Sequence, residues 1–174
     1  AVSVCEEGPP SNRRRLAEAA FYESDQLLGT SGRTFGGAVA ISGSLVVVGS
    51  TWVGGPPYSR DPAFVFRTTN DGRSFEHTAT LTPSDSLKSR AALGAAVAIS
   101  GNLVVVGAYE SAYNPYDDDQ DDGDPGGVYV YRTTDGGNSF VQTCKLEGSV
   151  YDDDFGFSVA ISNNLVVVGA AYAG

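Results

Sequence analysis

At 174 residues, with 41% apolar content, 22 Gly, 8 Pro and no Met, the chain reads as an ordered, turn-rich globular protein of ordinary single-domain size. Its 21 acidic against 11 basic residues give a formal net charge of −10, which argues against a nucleic-acid partner because phosphate backbones need a basic face. No apolar run approaches the roughly 18 residues of a membrane-spanning helix and the N-terminus lacks signal-peptide character, so a soluble chain with any leader already removed and no membrane insertion is expected.

In chain order, residues 1–11 (AVSVCEEGPPS) read as a lead-in segment that stops at Pro9-Pro10. The stretch SNRRRLAEAAFYESD (11–25) has helix-favouring Leu, Ala and Glu. Its position decides for strand: it stands before the first Phe-Gly as FEHTATLTPSD (75–85) stands before Leu93-Gly94, so 12–34 is expected to hold an outer strand and a linker. The basic triplet Arg13 to Arg15 fits a solvated strand end better than a nucleic-acid or processing patch.

Three stretches then match one another: FGGAVAISGSLVVVGS (35–50), LGAAVAISGNLVVVGA (93–108) and FGFSVAISNNLVVVGA (155–170). In the first half of the second copy, Val97 and Ile99 alternate with Gly94, Ala96 and Ala98, a strand with one face kept small. Ser-Gly-Asn and its equivalents supply the positive φ that a tight hairpin demands. The second half, Leu103 to Val106, is apolar on both faces, as suits a strand inside a sheet with neighbours stacked on either side.

A variable loop follows, TWVGGPPYSRD in the first copy and YESAYNPYDDDQDDGDP in the second. Third strands come next, PAFVFRTT (62–69) and GGVYVYRTT (126–134), with aromatic and β-branched residues in alternation. The turns after them, Thr133 to Phe140 and Thr68 to Phe75, share T-x-D-x-G-x-S-F spacing, with Asn70 replacing the Asp in the first. This resembles the Asp-box of sialidase-type propellers, in which the Asp ties down turn N–H groups, Gly takes an unusual φ and the aromatic anchors the next strand. The role implied is structural.

Four strands per unit, at spacings of 58 (Gly36 to Gly94) and 62 (Gly94 to Gly156), make one blade per repeat. The pattern F-G-x-x-V-A-I-S…V-V-V-G-A…G-x-V-Y-V-Y resembles the FG-GAP repeat of integrin α-subunit propellers and of many secreted repeat proteins. That resemblance implies an all-β β-propeller of four-stranded blades, about three repeats of roughly 60 residues, with an extracellular or cell-surface location. The units are 12–34 (partial), 35–92 and 93–154 (blades) and 155–174 (the first two strands of another). Propellers close with four to eight blades, and each Val or Ile left bare forgoes roughly 1.5 to 3 kcal/mol. The expectation is therefore a segment of a larger ring, or copies that complete each other.

Integrin-like copies carry a D-x-D-x-D-G calcium loop between their first two strands, where this chain has only Ser-Gly-Asn or its equivalents, so that site is not inherited. The acidic cluster with Asp117, Asp119, Asp121 and Asp122 lies in the later loop instead. Alternate carboxylates there can collect calcium, which takes six to eight oxygens; the competing reading is a solvated acidic loop. Tyr109, Tyr113 and Tyr116 precede it and offer apolar area with a hydroxyl to a partner, or pack the loop on itself. Cys5 and Cys144 can form at most one intrachain disulfide, with an inert, half-buried thiol as the alternative for Cys144. His77, the sole histidine, falls at the surface of a fourth strand.

No residue set here forms a catalytic constellation and no cofactor is implied. The expectation is a noncatalytic extracellular structural or adhesion module that meets a protein or glycan partner, or further blades of its own or a neighbouring chain. The competing expectation is part of a glycan-acting, sialidase-like enzyme, or a propeller appended to a hydrolase. A sialidase site needs clustered arginines near an acid and a Tyr, whereas Arg33, Arg60, Arg67, Arg90 and Arg132 are scattered.

Overall fold

The computed structural model describes residues 2–7, 21–29, 34–51, 63–85, 91–110, 126–149 and 153–172. Among them the chain forms β1 (Val2–Glu7), β2 (Phe21–Leu27), β3 (Thr34–Ser42), β4 (Leu45–Thr51), β5 (Ala63–Arg67), β6 (Glu76–Leu81), β7 (Ala91–Ser100), β8 (Leu103–Glu110), β9 (Gly127–Arg132), β10 (Val141–Glu147), β11 (Phe155–Ser162) and β12 (Leu165–Ala170). They make two four-stranded antiparallel sheets, β3-β4-β5-β6 and β7-β8-β9-β10, and two two-stranded sheets, β1-β2 and β11-β12. The architecture is that of an all-β propeller with four-stranded blades, and no ring closes within these residues.

The inner hairpins follow the repeat. Ser42 pairs with Leu45, Ser100 with Leu103 and Ser162 with Leu165, so each turn has two residues. The first of them takes positive φ, 58° at Gly43 and Gly101 and 53° at Asn163, the conformation that matches strand twist in a tight hairpin. The doubly apolar strand β8 is buried on both faces. Val104 and Val106 join a cluster with Leu45, Val47, Val97, Ile99, Tyr129 and Tyr131. Leu103 and Val105 join Val128 and Val130 against Val159, Ile161, Val166 and Val168. The small face of β7 proves to be a close-packing device, since Ala98 lies on the β11–β12 side while Val97 and Ile99 fill the opposite side.

Neighbouring blades are locked by two repeated contacts. A Cβ on Gly49 would collide with the carbonyl oxygen of Gly94, and one on Gly107 with that of Gly156, so the glycine ending one blade's second strand receives the Phe-Gly or Leu-Gly backbone of the next. The turn of each later hairpin also donates to the preceding blade: Gly101 N–H to Ser42 Oγ at 3.1 Å and Asn163 N–H to Ser100 Oγ at 3.0 Å.

Residues 2–7 correct the reading of 1–11 as a lead-in. They form β1, paired with β2 in the pattern of the third and fourth strands of a blade. Val4 pairs with Asp25 and Cys5 with Glu23, leaving Ser24 bulged. In the full blades Thr78 and Thr143 are bulged at the matching place, and their hydroxyls donate to the carbonyls of Val65 and Val130. The signal for β1 was only the short V-x-V alternation of Val2 and Val4, cut off by Pro9-Pro10 before any aromatic confirmed it. The outer strand expected in 12–34 is β2, of which the sequence placed 21–25; residues 8–20, with Arg13 to Arg15, lie outside the described ones. Leu27 and Asp25 dock this hairpin on the next blade. Leu27 packs with Val46, Val48, Phe64 and Phe66, and Asp25 Oδ2 accepts the Phe75 N–H at 2.8 Å.

Candidate functional site

The described surface that collects aromatic and acidic groups lies where the end of β8, the approach to β11 and the turn after β12 meet. Strand β8 continues past its blade-locking Gly107 to place Tyr109 opposite Ala92 of β7. The Tyr109 ring meets Phe157 with centroids 5.3 Å apart and planes tilted by 60°. Phe157 occupies the position held by Gly37 and Ala95 in the other copies, so the third copy alone sets an aromatic there.

Asp153 and Asp154 shape the approach to β11. Both are buried. Asp153 Oδ1 accepts the Phe155 N–H at 2.9 Å and its carbonyl accepts the Tyr172 N–H at 3.1 Å. Asp154 takes a φ of 53°, and its carbonyl accepts the Phe157 N–H at 2.9 Å. Exposed Tyr172 is thereby held near Tyr109. Burial raises the Tyr109 hydroxyl above its ordinary value, and the neighbouring charges of Asp154 and Tyr172 raise it further. A neutral phenol next to a carboxylate and open aromatic faces suits recognition, with the hydroxyl retained as a hydrogen-bond donor at neutral pH.

Of the residues singled out from sequence, Tyr109 is in this cluster. Tyr113, Tyr116, Asp117, Asp119, Asp121 and Asp122 lie outside the described residues. Sequence reasoning missed Asp153, Asp154, Phe157 and Tyr172, although the run YDDDFGF, against GRTFGG and RAALGA in the other copies, marks the third approach as different. Among the described residues no group of three or more His, Cys, Asp or Glu could hold a metal ion.

A second polar cluster, also missed, ties the segment after β6 to the second blade. Lys145 Nζ lies 2.6 Å from Asp85 Oδ2 and 2.6 Å from Glu147 Oε1, and 5.6 Å from the centroid of the Tyr129 ring. Tyr129 donates its hydroxyl to Asp85 Oδ2 at 3.4 Å. Burial works to lower the Lys145 ammonium, but its bonds to Asp85 and Glu147 win and its pKa is raised. Burial likewise works against the Asp85 charge and is outweighed by Lys145, which leaves that carboxyl below its ordinary value. Burial pushes the Tyr129 hydroxyl up to about 12. The cluster is a brace in which Lys145 bridges both carboxylates, while buried Asp85 Oδ1 has no hydrogen-bond partner among the described residues.

The T-x-(D/N)-x-G-x-S-F turns spend their polar groups on themselves. Asp135 Oδ1 accepts the N–H groups of Asn138 and Ser139, both at 3.0 Å, and Oδ2 accepts the Ser139 hydroxyl at 2.6 Å. Thr133 Oγ1 accepts the Gly137 N–H at 2.9 Å while donating to Asp135. The Ser139 hydroxyl, then the Ser139 N–H and Thr133, hold the Asp135 carboxyl far below its ordinary value. Asn70 repeats the geometry with Ser74 and Thr68. Gly137 and Gly72 take φ of 93° and 89°, and Phe140 and Phe75 pack against the blade cores.

Arg67 and Arg132 end β5 and β9, one blade apart, while Arg33, Arg60 and Arg90 lie outside the described residues. His77 is exposed and meets Phe66 edge-on, with ring centroids 5.4 Å apart. Cys144 corrects the half-buried reading: it is a free, exposed thiol, because β10 is the outer edge of its blade and only Gln142 along it is partly covered. With this geometry in place, comparison with known families gives one result, a match of the FG-GAP repeat to residues 75–131 and 147–174. No curated protein matches the chain.

Proposed function

We propose, on the premise that this chain carries FG-GAP repeats over residues 75–131 and 147–174, that it is a noncatalytic structural or adhesion module of the extracellular space. Its blade rims present a surface to a protein or glycan partner. The observation that carries this reading is the aromatic and acidic rim formed by Tyr109, Phe157, Tyr172 and Asp154, from which the loop with Tyr113, Tyr116 and Asp117 departs. Asp135, Asn70, Ser42 and Ser100 spend their side-chain oxygens on turns and inter-blade bonds, which supports a structural role for them. The likeness of the two turns to Asp-boxes is taken as architectural, in keeping with Asp135 bonding its own turn.

Calcium is the cation that Asp117, Asp119, Asp121 and Asp122 are proposed to take, as hard carboxylate ligands. A rise in melting temperature with millimolar calcium supports this, and a flat titration sinks it. For the rim, binding of the purified chain to glycan arrays and to immobilised extracellular matrix proteins is compared with that of Tyr109→Ala and Phe157→Ala. Ligand retention that drops in both variants, with unchanged melting, supports the reading. Turnover of any sialoside in a glycosidase panel would replace it with the enzyme reading.

A further inference from the structure

The second blade carries a polar set that the first blade lacks. Tyr131 and Tyr129 of β9 stand where β5 has Phe66 and Phe64, since Tyr131 pairs with Val104 as Phe66 pairs with Val46. Lys145 of β10 faces Tyr129 as Thr80 of β6 faces Phe64. Both blades bury these rings. Phe64 and Phe66 lie in an apolar cluster with Leu27, Val46 and Val48, and Tyr129 and Tyr131 lie in the core between the first and second blades. The first blade shows that the positions pack without a hydroxyl. The two hydroxyls of the second are an addition that packing does not require, and they come with Lys145 and with Asp85, which reaches them from the segment after β6.

Two atoms of this set are left over. Tyr131 is 3% exposed and its hydroxyl bonds no described group. Asp85 Oδ1 is buried and bonds none either, although Oδ2 of the same carboxylate accepts from Lys145 and Tyr129. The two atoms lie at one place: Tyr131 and Tyr129 point to the same face of β9, two residues apart, and Tyr129 touches Asp85. Burial raises the Tyr131 hydroxyl above its ordinary value, and nearby Tyr129 and Asp85 raise it further, so it keeps its proton. A neutral phenol can donate and a carboxylate oxygen can only accept, yet the two do not bond each other. Leaving either one unanswered carries the full cost of taking it out of water.

We propose that the junction of the first and second blades binds one buried water molecule, which accepts the Tyr131 hydroxyl proton and donates to Asp85 Oδ1. A water answers both atoms with the right polarity and adds no charge beside the Lys145 ammonium or the Asp85 carboxylate. Buried waters make about three hydrogen bonds. Lys145 has a donor to offer as the third, because an ammonium carries three and Asp85 and Glu147 take two. Tyr131 thereby gains a bond that Phe66 has no means of making, and the Asp85 brace is tied through the water to the middle of the second blade. The site lies between two blades and does not depend on what the rim binds.

The sign of one substitution separates a bridged hydroxyl from an orphaned one. Removing a buried hydroxyl that has no partner stabilises a fold, whereas removing one that holds a water leaves Asp85 Oδ1 unanswered and destabilises it. Tyr131→Phe, which copies Phe66, should therefore lower the melting temperature while near-ultraviolet circular dichroism shows it folded. Oxygen-17 relaxation dispersion of water, recorded on the 174-residue chain, reads the bound molecule directly. Its amplitude should fall in Tyr131→Phe by the contribution of about one long-lived water, and Asp85→Ala, which removes the acceptor, should lose the same amount. A melting temperature that Tyr131→Phe raises or leaves unchanged, or an amplitude that either variant keeps, overturns the proposal. So does electron density at high resolution that bonds Tyr131 Oη directly to Asp85. Should Tyr131→Phe fail to fold, the loss of amplitude in Asp85→Ala decides alone. Failure of the rim to bind glycans or proteins, or sialoside turnover, would leave this outcome unchanged.

Discussion

Gly107→Ala tests the physical basis of blade stacking. The added methyl would collide with the Gly156 carbonyl oxygen, with Gly156 C and Ala96 Cβ each 3.2 Å away. Two of those obstacles are backbone, so relief requires β11 to retreat from β8 by about 1 Å, and a gap of that size forfeits a quarter to a half of each dispersion contact across it. The contacts at stake are those of Val105, Val128 and Val130 with Val159, Ile161, Val166 and Val168. Overpacking of this kind costs about 3 kcal/mol, and a protein of this length loses roughly 2 to 4 °C of melting temperature per kcal/mol, so a fall of about 6 to 12 °C is expected. The control is Gly127→Ala in the same blade, where the nearest atom to a Cβ is the Leu146 carbonyl oxygen at 3.5 Å; its change should stay within about 1 kcal/mol. Urea unfolding followed by circular dichroism reads both variants. Equal destabilisation of the two would refute the claim that the Gly-to-carbonyl contact sets blade spacing.

Ser50, where the other copies have Ala108 and Ala170, is fully buried and its hydroxyl has no hydrogen-bond partner among the described residues. Ser50→Ala should therefore stabilise by about 1 to 2 kcal/mol, read as a higher urea midpoint; an unchanged or lower midpoint counts against it. Asp135 has a folded pKa depressed below its unfolded value near 3.9, so its contribution is present above about pH 4 and is lost as pH falls further. Melting temperature followed from pH 5 to 2 should drop less steeply in Asp135→Asn, which copies Asn70, than in wild type; parallel curves would remove Asp135 from the account. Asp85→Asn should cost no more than about 1 kcal/mol because the Lys145 brace is partly open to solvent, and most of that difference should vanish in 1 M salt.

The inner strands were legible because their positions obey short-range rules. Alternation in β7, a two-residue turn at Gly101-Asn102 and doubly apolar β8 each follow from local sequence, and three copies in register removed the remaining ambiguity. The outer strand β10 followed from the turn before it. β1 was not legible because its partner is separated from it by residues 8–20 and its identity rests on pairing with Phe21–Leu27, a relation that no local pattern encodes. The rim cluster was half legible. Tyr109 stood out as the first of three tyrosines, but Asp153, Asp154 and Tyr172 are brought to it by hydrogen bonds across the third hairpin. The Lys145 brace escaped for the same reason, since Asp85 and Lys145 are 60 residues apart.

The division between repeated and unrepeated residues locates function by a physical argument. Positions identical in all three copies include the glycine after Val48, Val106 and Val168 and the serine at 42, 100 and 162; at Gly49 and Gly107 backbone meets backbone, and at Ser42 and Ser100 a hydroxyl bridges blades. A change there must be accommodated by two blades at once, so those residues can carry little besides packing. Freedom to differ lies where only one blade bears the consequence, at the loops after the second strands and the approaches to the first. The third approach uses that freedom most, exchanging Gly37 and Ala95 for Phe157 and placing Asp153-Asp154 before it. An aromatic costs little there because it lies beside Tyr109 on the rim, half open to water, and not between stacked sheets. On the proposed reading, specificity for a partner is set blade by blade at the rim, so exchanging Phe157 for the Gly of the first copy should lower retention on glycan and matrix-protein arrays while leaving the melting temperature as it was; unchanged retention counts against the reading.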